Sequence, residues 1–175
     1  MRIFTPLIIW TAGILVTALA GALTNAVNGH ISPLYFVNIL GWGDMEQVPR
    51  AAIAQGIFEG AVVGLLLSTV FTVATGLISR FRCSAADGLR YLGYILATVL
   101  VAWGVGGAIA VGLARLSPEF YQNTFRGVPE QTGAMLRYAW VGGSIVGLQL
   151  LAASGVLLAF SLIPSLVCVT LSRSN

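Results

Sequence analysis

Between Arg50 and Arg80 the chain carries one charged side chain, Glu59. A run this long and this apolar is a membrane span. In hydrocarbon every backbone amide must be bonded within its own segment, and a helix does that. Three further runs have the same character, at 6–26, 91–113 and 133–160. The expected fold is therefore an all-α membrane protein with four transmembrane helices, spans 6–26, 49–79, 91–113 and 133–160. Only 9% of residues are charged and the mean hydropathy is +0.90, whereas soluble chains average about 25% charged. The four spans leave no soluble domain of useful size in 175 residues.

A second pattern divides the chain. Ser32-Pro33-Leu34-Tyr35-Phe36-Val37-Asn38 returns as Ser117-Pro118-Glu119-Phe120-Tyr121-Gln122-Asn123, 85 residues later (117 − 32). Gly41 and Asp44 meet Gly127 and Glu130 at an offset of 86, and Arg50, Gly56 and Gly60 meet Arg137, Gly143 and Gly147 at 87. The second copy thus carries two extra residues in its loop. This is the mark of a duplicated helix–loop–helix unit. Repeat one is 1–79, with outer loop 28–48; a cytoplasmic link covers 80–90. Repeat two is 91–175, with outer loop 114–132 and a C-terminal tail at 161–175. Each unit holds two spans, so both enter the membrane in the same direction and the repeats are parallel.

In each loop, serine followed by proline reads as an N-cap and first-turn proline. The aromatics behind them suit short helices lying in the membrane interface.

Arginine sets the orientation. Arg2, Arg80, Arg82, Arg90 and Arg173 fall on one side; Arg50, Arg115, Arg126 and Arg137 fall on the other, among Asp44, Glu46, Glu119 and Glu130. The compact basic link places both termini in the cytoplasm and the Ser-Pro loops outside, in a bacterial inner (plasma) membrane. Ala18-Leu19-Ala20 has the look of a signal-peptidase site, but the apolar run continues past it and Gly21 has a repeat partner in Gly106, so span one is expected to be retained. Cys83 and Cys168 then lie on the reducing side, and no disulfide is expected.

Glu59 is the candidate site residue. A carboxylate inside a span is costly and marks either a pathway or a paired structural contact. With Gln55 and Gln149 it forms the candidate intramembrane polar site. Arg50 and Arg137 are its candidate charge partners. The helix-packing set is Gly56, Gly60, Gly64, Gly143 and Gly147, at the four-residue spacing that lets helix backbones approach closely. Smaller stripes lie at Gly13, Thr17 and Gly21 and at Gly104, Ala108 and Gly112. From repeat symmetry, the span-two stripe is expected to meet the span-four stripe, with Glu59 at that contact. Asn25, Asn28 and His30 read as helix-end groups, Asn38 and Asn123 as loop-backbone partners, and Gln149 as an interhelical hydrogen bond.

Several functions are excluded or left without support. No basic run exists to form a nucleic-acid patch. One histidine and two unspaced cysteines offer no metal site, and no cofactor is expected. No nucleophile–base constellation is present, so no enzyme is expected. What remains is a non-catalytic accessory, scaffold or assembly component acting through helix packing. The alternative is a small oligomeric transporter or channel using Glu59. The expected partners are the lipid bilayer and either further copies or other membrane subunits.

Overall fold

The computed structural model describes residues 4–43, 46–79 and 85–151. Every element in them is helical: α1 (Phe4–Ile31), α2 (Pro33–Leu40), α3 (Val48–Ser79), α4 (Ala85–Leu116), α5 (Pro118–Thr124) and α6, helical over 132–151. Among the described residues, three helices are long and apolar enough to cross a membrane: Phe4–Ile31, Val48–Val73 and Gly88–Leu116. Asp44, Arg80, Arg82, Cys83, the part of span four beyond 151 and the C-terminal tail lie outside the described residues.

The helix ends differ from the expected bounds for local reasons. Serine before proline is pushed out of the helical region, so α1 runs past the expected 26 and stops only at Ile31. Asn28, expected in the loop, belongs to that helix. α4 begins at Ala85, so Asp87 and Arg90, expected in the link, lie on a helix. The two serine corners are built alike. Ser32 has φ −145 and ψ 86; Ser117 has φ −146 and ψ 85. Ser32 N–H donates to Asn28 O and Ser117 N–H to Leu113 O, both at 3.0 Å. Neither serine side chain caps its helix; the corner comes from the proline alone. Past each short helix a glycine takes the left-handed conformation, Gly41 at φ 72 and Gly127 at φ 71.

Along most of α1, small residues are inside and leucines outside, the reverse of a water-soluble core. Leu15, Leu19 and Leu23 of α1 are exposed while Gly13, Ala20, Thr24 and Asn25 are buried. Lipid solvates leucine as well as protein does, so close backbone approach decides which faces pair.

The glycine stripes pair within each half rather than between halves. A Cβ on Gly56 would meet the Gly21 backbone and Asn25; one on Gly60 would meet Thr17 O and Ala18; one on Gly64 would meet Thr17 and Ile14. The partner of the α3 stripe is therefore α1, running antiparallel to it, and not the expected span four. The α6 stripe does the same on α4: Gly143 meets Gly106 and Ala110, and Gly147 meets Ala102 and Gly106. The α4 face in use is thus Ala102, Gly106 and Ala110. Gly104 and Gly112, expected to pack, face open space. Each first helix carries a small face that admits the glycine stripe of the second.

Each short helix lays one aromatic over the top of its pair. Phe36 packs with Val48 and Ala52; Tyr121 packs with Met135, Ala139, Ala110 and Ala114. The second half adds α6 residues to the first cluster: Val141, buried in it, with Trp140 and Ile145 packed against it. Lower down, a Cβ on Gly88 of α4 would meet Ile9, and one on Gly13 would meet Leu92, so α4 also rests on α1.

Candidate functional site

Glu59 lies 11 residues into α3, about 16 Å along the axis and close to the middle of the apolar stretch Val48–Val73. Bordering the glycine groove, it is expected at the helix contact, but it sits on the exposed side of α3, beside Phe58, itself 69% exposed. The reason is angular. Gly56 and Gly60 bracket the face that α1 occupies, and Glu59 lies about 100° round from Gly60. Gln55, one turn before, donates from Nε2 to Glu59 Oε1 at 2.7 Å. Gln55 Oε1 is buried and takes no hydrogen bond among the described residues.

The other expected members do not join this pair. Arg50 and Arg137 are exposed at the starts of α3 and α6, and among the described residues neither pairs with Glu59. Gln149 is exposed on α6 and makes no interhelical bond among the described residues. No group of three metal-ligating side chains occurs among the described residues. His30 Nδ1 lies 2.7 Å from Ala26 O, one turn back in its own helix.

The polar contact that sequence reasoning missed lies between the halves. Asn28 and Ser144 are both fully buried. Ser144 Oγ donates to Asn28 Oδ1 at 3.2 Å and lies 2.9 Å from Val141 O. Asn28 Nδ2 is buried with no hydrogen-bond acceptor among the described residues. Around this contact Asn38 Nδ2 donates to Gly127 O at 2.6 Å, so Asn38 serves loop backbone as expected, but that of the other half. Tyr138 donates to Arg126 O at 2.6 Å, and its ring lies 5.1 Å from that of Tyr35. A Cβ on Gly142 would meet the Tyr35 ring at 3.1 Å. Burial pushes the phenols of Tyr35 and Tyr121 above their ordinary value, with Tyr35 adding to the shift at Tyr121.

A signal for this contact lies in the sequence register that matches the two Ser-Pro segments. The positions matching Asn28 and Ser144 are Leu113 and Ile57, both apolar. A polar pair standing where the matched positions are apolar marks a place where the two segments have different surroundings.

The chain matches no family model, no curated protein and no solved structure.

Proposed function

We propose that this chain is a non-catalytic multi-pass membrane component, an accessory, scaffold or assembly subunit that works by presenting its outer helix faces to other membrane helices. It is read as four spans in two parallel helix–loop–helix repeats, with α6 as the start of the fourth span. α2 and α5 are read as interfacial helices on the outer side, and both termini as cytoplasmic. The matched serine corners, left-handed glycines and glycine pairings support the duplication.

One observation carries the functional reading. Glu59 stands near mid-span on the outward face, held by Gln55 and without an arginine partner among the described residues. Intramembrane carboxylates face protein or water rather than lipid. A group held in this position calls for a neighbouring subunit over it, and the helix interior behind it is closed by packed glycine backbone.

The same carboxylate favours a second reading, a small oligomeric transporter in which Glu59 and Gln55 line a path between subunits. Two measurements on Glu59→Gln separate them. For an assembly subunit, the substitution shrinks the complex in mild detergent, leaves the melting temperature unchanged, and the reconstituted wild type carries no proton or cation current. A current in proteoliposomes that Glu59→Gln abolishes, with complex size intact, overturns this reading in favour of transport.

A further inference from the structure

The contact between the two halves is one-sided. A two-fold relation would make every contact occur twice, with residue roles exchanged. Asn38 reaches Gly127 O, so Asn123 would have to reach Gly41 O. Among the described residues the Asn123 side chain makes no hydrogen bond, and Gly41 faces open space. Asn28 meets Ser144, so Leu113 would have to meet Ile57. Those side chains are instead 45% and 47% exposed. Ser32 is buried at its corner, while Ser117 is exposed at the matching one. The halves therefore meet head to tail: the α1–α2 corner of the first half receives the loop and α6 of the second.

A head-to-tail contact between like units leaves one unused face at each end. The second half keeps a free copy of the receiving corner, and the first half keeps a free copy of the inserting face. We propose that a second copy of this chain fills them, the α4–α5 corner of one copy receiving the α3 face of the next. This rests on the reading of the chain as a duplicated unit.

The matching positions fit that contact chemically. Where Asn28 meets Ser144, the contact between copies sets Leu113 against Ile57, apolar on apolar. Where Asn38 meets Gly127, it sets Asn123 against Gly41, the same donor facing the same left-handed glycine. Where Tyr35 lies on Gly142, it sets Phe120 against Gln55. Ile31 and Ile145, which pack around the first contact, have Leu116 and Phe58 as their matches, both strongly exposed. A polar pair inside the chain and an apolar pair between chains would also keep the two contacts from exchanging. Glu59 then borders the seam between copies, one turn from Gln55.

The test is disulfide capture in native membranes, in a background with Cys83→Ser and Cys168→Ser. Two differently tagged chains are co-expressed, one with Leu113→Cys and the other with Ile57→Cys, and oxidised with copper–phenanthroline. The expected result is a mixed dimer carrying both tags, absent when either variant is expressed alone. A chain carrying both cysteines should give a ladder of dimers and larger species. A dimer formed by Leu113→Cys alone overturns the proposal, because it reports a two-fold contact. An internal disulfide in a monomer overturns it too, as does the absence of any mixed dimer. In that last case, a photo-crosslinker at Phe58 that captures a different membrane protein leaves the assembly reading standing and removes only the self-association.

Discussion

At the scale of single residues, polar side chains sit where backbone packing leaves them no choice of surroundings. Thr17 and Thr24 return their hydroxyls to carbonyls one turn back in α1, which satisfies them without a partner helix. Asn28 has no such local exit and depends on Ser144. Ser144→Ala removes the donor and leaves a buried amide poorly served, so it is expected to cost about 1 kcal/mol, on the scale of interhelical hydrogen bonds in bilayers. Adding Asn28→Leu, the residue its repeat match carries, removes the stranded amide, so the double variant should recover part of that loss. Detergent unfolding of both singles and the double gives the coupling; strict additivity would show that the two side chains do not interact. Tyr35 supplies a pH dependence of known sign. Its phenol is raised by burial above the ordinary 10.0, so the folded state holds that proton more tightly than the unfolded chain. The stability it contributes is complete below pH 10 and is lost as pH rises through the raised value. Tyr35→Phe keeps the ring and removes the titration, so its melting temperature should fall less between pH 9 and pH 11 than that of the wild type.

At the scale of elements, the helix pair α1–α3 is held by backbone meeting backbone. A Cβ on Gly60 would lie 2.9 Å from Ala18 Cα and against Thr17 O, and main chain cannot rotate aside. Gly60→Leu is therefore expected to cost about 3 kcal/mol by overpacking, read as a fall in detergent melting temperature. Gly104→Leu is the control: it faces open space and should be close to neutral. Equal effects at the two sites would mean that glycine content, not seating, controls stability. The helices and their glycine periodicity were legible in the sequence because both follow from local spacing along one helix. The pairing was not. The stripes on α3 and α6 are alike, so symmetry suggested that they meet. What decides is that α1 and α4 each carry their own small face, on which the stripes of α3 and α6 seat. On α4 two overlapping small-residue registers were available, Gly104–Ala108–Gly112 and Ala102–Gly106–Ala110. Spacing cannot choose between them; the match of Gly106 to Gly21 could. Glu59 was legible as the exceptional charge, but its direction depended on which helix filled the groove.

At the scale of the molecule, the two halves are complete in different ways. Each has its own antiparallel pair, its own glycine seam and its own aromatic over the top, so neither borrows its main packing from the other. What joins them is concentrated at one end: Asn28 with Ser144, Asn38 with Gly127, Tyr35 with Gly142, and Val141 inserted beside Phe36. Below this end, α4 touches α1 at Ile9 and Leu92. Membrane helices that are each stable in the bilayer associate in a second step through such contacts. The chain cut between Phe81 and Arg82, with the two pieces 1–81 and 82–175 co-expressed from separate starts, should therefore reassemble and co-purify through a tag on either piece. Ser144→Ala should reduce the yield of the split form more than that of the intact chain. Joined halves meet at a high effective concentration that separate pieces lose. If the pieces are each stable in the membrane but fail to co-purify, the contact between the halves is too weak to act as a unit, and its repetition between copies would lose its basis. If instead the first piece alone forms large assemblies, its free α3 face is meeting the corner of another first piece, and the head-to-tail rule holds for single repeats as well.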